Sequence, residues 1–120
     1  MEIEKFDSQR IYRMTKGDPN TLREVIDLFV DDTRKNLQRL RTAIDEEDNT
    51  TSGETAHALK GSAANMSARR LSELFHAIEE KVKSEDFTGA RSLMRLLDTE
   101  FRILQQIFAD LVSRKEGGID

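Results

Sequence analysis

The sequence predicts an all-α protein, an antiparallel four-helix bundle with an additional short N-terminal helix. Apolar residues recur at steps of three and four, with no two-residue alternation. Proline occurs once in 120 residues, so long helices can run uninterrupted. The breaks between apolar stripes are short, and short connections make neighbouring helices antiparallel.

The first helix spans roughly 7–16: Asp7 caps it, Ile11 and Met14 share a face, and Gly17 ends it. In "GDPN", Asp18 caps the next helix, and Pro19 takes its first turn, where a missing N–H is harmless. Leu22, Ile26, Phe29, Thr33, Leu37, Leu40 and Ile44 then form one stripe over about six turns, up to the acidic "DEEDN". Thr51 and Glu54 have capping-box spacing and open a third helix that reaches about Asn65. A fourth starts near Ser67, a good N-cap, and presents Leu71, Leu74, Phe75, Ile78 and Val82. The last begins around Asp86 and carries Phe87, Ala90, Met94, Leu97, Phe101, Leu104, Phe108 and Leu111. Residues 113–120 are expected to be a frayed tail, and about 6–112 the ordered part of a single domain spanning 1–120.

Composition narrows the function. With 37% hydrophobic residues the chain holds one core, and 19 basic against 23 acidic side chains give a net charge of −4, which disfavours nucleic acid as a partner. No cysteine is present, so disulfides, zinc–thiolate sites and thiol nucleophiles are excluded. The start "MEIEKFDSQR" has no apolar signal region and no later apolar run reaches membrane-spanning length, so a soluble cytoplasmic protein is expected, with no membrane partner.

The stretch "AHALKGSAAN", residues 56–65, departs from the pattern because Gly61 sits in a helix interior, where glycine costs about 1 kcal/mol relative to alanine. On a helical wheel Ala56, Leu59, Ala63 and Ser67 centre the inward face, and His57 lies about 100° from Ala56, on the flank between core and water. Gly61 and Ala64 continue that flank, leaving an imidazole beside a strip nearly free of side chains. Lys60, three residues on, reaches whatever the imidazole carries. On the fourth helix the corresponding flank holds Ser72, His76, Glu79 and Lys83, and an antiparallel neighbour brings Glu79 to the His57 ring.

This grouping suits phosphoryl transfer. If Glu79 accepts the Nδ1 proton, Nε2 is left as an unprotonated nucleophile. Lys60 supplies positive charge to the phosphoryl oxygens, and Gly61 leaves room for a second protein to approach in line.

The segment "HALKGSAANMSARRLSELFHAIEE" resembles the signature of histidine-containing phosphotransfer (HPt) domains: His, any residue, Leu-Lys-Gly-Ser, a small-residue turn and a Leu-rich helix. His57, Leu59, Lys60, Gly61 and Ser62 match position for position, and the resemblance in helix lengths extends from about Phe6 to Leu111. It implies a phosphate carrier between aspartates of receiver domains. His57 would be the phosphoacceptor, Lys60 the stabilising cation, Gly61 the access residue and Glu79 the group that orients the ring. The set of His57, Lys60, His76 and Glu79 is similar to that in the phosphotransfer domain of chemotaxis kinases, with His76 behind His57. The partners implied are response-regulator receiver domains or a hybrid sensor histidine kinase. Such a monomeric carrier needs no cofactor of its own; magnesium is expected on the receiver. No nucleotide-binding loop appears, so a stoichiometric carrier and not an enzyme is expected. One departure is Ser67, where the family commonly has Gly in the turn.

Two rivals belong to other classes. "ETAH" and "ELFH" have the Glu-x-x-His spacing of di-iron bundles, but the wheel points Glu54 and Glu73 about 160° from the inward face. An adaptor bundle would dock a partner through the same surface without phosphate chemistry. Residues 56–83 hold 5 basic and 3 acidic side chains, a locally basic surface that would favour an acidic receiver pocket.

Overall fold

In the computed structural model, which describes Arg13 and residues 15–116, the apolar stripes form four helices: α1 (Pro19–Asp45), α2 (Asn49–Asn65), α3 (Arg69–Lys83) and α4 (Phe87–Glu116). α1 packs against α2 and α4, and α3 against α2 and α4, so the helices close a ring around one core. Every member of the expected α1 stripe is buried, from Leu22 to Ile44, as are all those named for α3 and α4. Phe29 of α1 meets Phe108 of α4 edge to face, with ring centroids 6.0 Å apart.

The caps of α1 behave as the sequence predicts. Asp18 accepts from the Asn20 amide at 3.2 Å and from Thr21 Oγ1 at 2.7 Å, with Pro19 in the first turn. Lys16 and Gly17 precede it with φ of 54° and 74°, where the N-terminal helix was expected to end. Arg13 and Thr15 are helical, and the rest of the expected helix over 7–16 lies outside the described residues.

Two expected starts are corrected. α2 begins at Asn49, capped by Asp48, whose carboxylate accepts from the Thr51 amide at 3.1 Å; Thr51 is therefore inside the helix, and Glu54 is exposed. α3 begins at Arg69, and Ser67 is not its cap but a left-handed residue with φ of 59° that closes α2. The Ser67 amide donates to Ala64 and the Ala68 amide to Ala63, the pairing of a Schellman motif. The same pairing ends α1 through Glu47 and Asp48 and α3 through Glu85 and Asp86. α4 continues to Glu116, into the expected tail, and residues 117–120 lie outside the described residues.

Polar ties lock the loops. Asn49 Nδ2 donates to the Val82 carbonyl at 2.8 Å, joining the start of α2 to the end of α3. Arg91 donates to the Ile44 carbonyl at 3.4 Å and lies 3.5 Å from Glu47, covering the C-terminal end of α1. Among the described residues no helix is long and apolar enough to cross a membrane.

Candidate functional site

α2 and α3 form a hairpin about Ala68, and antiparallel packing sets residues equidistant from that point side by side. His57 and Glu79 each lie eleven positions from Ala68. Their side chains meet, with Nδ1 of His57 3.0 Å from Oε2 of Glu79. Lys60, nearly one turn along the same face of α2, donates from Nζ to Oε1 of Glu79 at 2.9 Å. One carboxylate thus holds two α2 side chains, one on each oxygen.

Burial distinguishes their roles. Glu79 is 8% exposed, whereas the His57 side chain is 67% exposed and that of Lys60 28%. Burial pushes the Glu79 carboxyl up, but the hydrogen bonds from Lys60 and His57, with their charges, outweigh it and hold the carboxyl below its ordinary 4.5. An ionised carboxylate has no proton to give. Nδ1 of His57 therefore carries the hydrogen and donates it, which leaves the Nε2 lone pair free on an exposed ring.

The approach to that ring is open. Among the described residues a Cβ placed on Gly61 meets nothing within 4 Å, so packing among them does not require the glycine. Ser72 of α3 donates from Oγ to the Lys60 carbonyl at 3.0 Å, fixing the α2 backbone next to Gly61. His76 stands on the same flank, 57% exposed, with Nδ1 3.8 Å from Oε1 of Glu79. That distance permits an ion pair but not a hydrogen bond. The residues of the sequence-based site, His57, Lys60, Glu79 and His76, are thus brought together, with Gly61 one turn beyond His57. Glu54 and Glu73, the remaining members of the two Glu-x-x-His pairs, are exposed.

Two features were not anticipated. Lys60 is engaged by Glu79 rather than poised freely beside His57, and Ser72 ties the two helices together. The signal for both lay in the hairpin register. Once Ala68 is the pivot, residues 57–64 of α2 must face residues 72–79 of α3.

Comparison with known proteins points the same way. The family model described as Hpt domain matches residues 24–109. Histidine-containing phosphotransfer protein 2 of Arabidopsis thaliana is 26% identical over 98 residues, covering 79% of this chain and 63% of the relative. Histidine-containing phosphotransfer protein 5 of the same plant is 26% identical over 99 residues, with coverage of 80% and 63%. The chain thus spans slightly under two thirds of the length of these curated relatives. The crystal structure of histidine-containing phosphotransfer protein B (HptB) from Pseudomonas aeruginosa PAO1 superposes with a TM-score of 0.83 at 24% identity, over 92% of this chain and 96% of that one. At that identity the likeness speaks for the fold alone.

Proposed function

Because the chain belongs to the Hpt domain family, we propose that it is a phosphohistidine carrier of a multistep phosphorelay. It takes a phosphoryl group onto His57 from the aspartate of one response-regulator receiver domain and passes it to the aspartate of another. The observation that carries this reading is the bond from His57 Nδ1 to a buried, ionised Glu79 on an otherwise exposed ring.

The Nε2 lone pair attacks the phosphorus of an aspartyl phosphate, an N–P bond forms, and the P–O bond to the aspartate breaks. The electron pair of that bond leaves with the receiver carboxylate, and no proton need move. Nδ1–H stays on Glu79 throughout, which stabilises the positive charge that the ring acquires. Lys60, on the same face, offers its ammonium to the phosphoryl oxygens. Gly61 leaves the space that the receiver loops must enter. The reverse reaction uses the same groups, so the relative stabilities of the partners' aspartyl phosphates set the direction of flow. Magnesium belongs to the receiver, and the protein acts as a monomer and as a stoichiometric carrier rather than a kinase.

The test is intact mass and peptide mapping after mixing with phosphorylated receiver domains and magnesium. One acid-labile phosphate on His57 is expected, absent from a His57→Gln variant. Gly61→Leu should keep the helical fold, since that position is open, yet slow transfer by at least about tenfold through exclusion of the partner. Binding of receivers without any phosphate on His57 would replace the carrier reading with an adaptor.

A further inference from the structure

The exposed ridge of α2 changes charge along its length. Asp45, Glu46, Glu47 and Asp48 stand in a row at the turn before it, and Glu54 is exposed near its start. From there to Glu73 the chain has no acidic residue, although 23 of its 120 residues are acidic. The same stretch holds three cations, Lys60, Arg69 and Arg70. Lys60 is bound to Glu79 at 2.9 Å, and Arg70 lies 3.6 Å from Glu100. Arg69 is exposed and makes no ion pair with the described residues. It continues the flank of α3 that carries Ser72 and His76, whereas Glu73, one turn on, is rotated about 40° further from α2. On α1, Arg34 and Arg41 turn toward α4, and on the opposite flank Asp32 and Lys35 offset one another.

The place of Arg69 also runs against helix electrostatics. It opens α3, whose first turn has no acidic residue and whose cap, Ala68, offers no side-chain hydrogen bond. A cation there meets the positive end of the helix dipole. Arg70 shares that cost but has Glu100; nothing among the described residues compensates Arg69. A local rule broken without compensation inside the chain points to a partner outside it.

We propose that Arg69 is a docking cation for the receiver, which seats on the hairpin half of the α2 ridge rather than squarely over His57. This rests on the carrier reading. A receiver presents its phosphoaspartate among the carboxylates that hold magnesium, and such a surface is drawn to the acid-free half and repelled by the Asp45–Asp48 turn. The dimensions agree. His57 is level with Glu79, so Arg69 lies about 15 Å from it along the hairpin. An interface of about 800 Å² per partner is roughly 32 Å across, so Arg69 falls on its rim when it is centred on His57 and inside it when displaced toward the hairpin. The displaced footprint covers Gly61 and Ala64, both exposed, where the partner's backbone can approach α2 closely. Arg69 touches no reacting atom; it acts on encounter and orientation.

The test adds a panel of receiver domains to the whole chain, one at a time. Amide NMR shifts record where each unphosphorylated receiver binds, and initial rates of transfer from the phosphorylated form are compared at low and high salt. Three charge reversals are measured beside the wild type: Arg69→Glu, Glu46→Lys at the acidic turn, and Arg95→Glu on α4, exposed, without an ion pair among the described residues and away from the ridge. Glutamate suits the first turn of α3, so Arg69→Glu should keep its fold, checked by circular dichroism. Shifts are expected from Gly61 to Arg69 and not over residues 45–49. Arg69→Glu should lower kcat/KM about 3- to 10-fold at low salt with kcat unchanged, and the difference should shrink at high salt. Glu46→Lys and Arg95→Glu should each change it less than about twofold. Equal losses in Arg69→Glu and Arg95→Glu would overturn the proposal, because net charge alone would then be felt. Shifts that extend over residues 45–49 would overturn the displaced seat. A receiver that gives the expected footprint yet leaves no phosphate on wild-type His57 refutes the carrier reading and supports the docking role; neither footprint nor transfer with any receiver refutes both.

Discussion

Glu79 accepts from two α2 side chains at once, and its two oxygens do different things: one fixes the tautomer of His57, the other neutralises the buried charge with Lys60. Glu79→Gln separates these roles from simple packing. An amide can offer its own hydrogen to Nδ1, which moves the ring proton to Nε2 and occupies the nucleophilic lone pair. The initial rate of transfer from a phosphorylated receiver is expected to fall about 10- to 100-fold, with circular dichroism unchanged; an unaltered rate would show that the tautomer is not set by this contact. The carboxyl titrates below 4.5 in the folded chain, so the unfolded state binds its proton more readily. Its stabilisation is therefore complete above that value and is lost as pH falls through the lower, folded one. Urea melts of wild type and Glu79→Gln should differ most near neutrality and converge under acid. Thr33 presents the opposite case. It is 1% exposed and its Oγ1 has no hydrogen-bond partner among the described residues. Thr33→Val removes the unpaired hydroxyl and is expected to stabilise the bundle by about 1 kcal/mol, read as a higher denaturation midpoint; a lower one would mean that the hydroxyl is satisfied in solution.

Three connections between helices share one construction, in which a left-handed residue closes one helix and the next residue caps the following one. Glu47, Ser67 and Glu85 hold the left-handed positions with φ between 55° and 59°, where glycine is the usual occupant. A side chain there costs roughly 1–2 kcal/mol, against which the extra freedom of unfolded glycine sets about 0.5–1. Ser67→Gly is thus expected to stabilise the protein by about 0.5–1 kcal/mol in chemical denaturation; destabilisation would mean that Ser67 supplies a contact worth more than its backbone strain. These loops explain what was legible in the sequence. The stripes of α1, α3 and α4 were readable because their members from Leu22 to Leu111 follow helical spacing and, apart from Thr33 and Ala90, bury large apolar side chains. The helix starts were less so. Thr51 and Ser67 look like caps by residue type, yet the cap positions fall on Asp48 and Ala68 because a Schellman motif places its last residue there whatever its side chain. Asp48 was concealed within an acidic run. The site was legible at His57, Lys60 and Gly61 because they interrupt an apolar pattern. The burial of Glu79 was not, since a carboxylate on a helix flank reads as solvated until the opposing helix and its two donors are in place.

At the scale of the molecule the buried side chains are unevenly shared. α1 and α4 run for 27 and 30 residues, and each contributes a long series of large apolar groups. α2 buries Ser52, Thr55, Ala56, Leu59 and Ala63, with leucine the sole large apolar side chain. The helix that carries His57 thus buries the fewest large apolar side chains of the four. A fully buried leucine- or phenylalanine-sized group contributes about 1.5–3 kcal/mol, so α2 lacks the equivalent of several such contributions that α3 has in Leu71, Leu74, Phe75, Ile78 and Val82. Polar ties add to that packing: Asn49 to the Val82 carbonyl, Ser72 to the Lys60 carbonyl, and Glu79 between His57 and Lys60. Native-state hydrogen exchange should therefore find α2 amides opening at a free energy at least about 2 kcal/mol below those of the middle of α4. Glu79→Gln should lower the α2 value further while leaving α4 near the global one. If α2 and α4 instead exchange at a common free energy in both proteins, the bundle opens as one unit. The side chains around His57 would then orient the ring without also anchoring its helix.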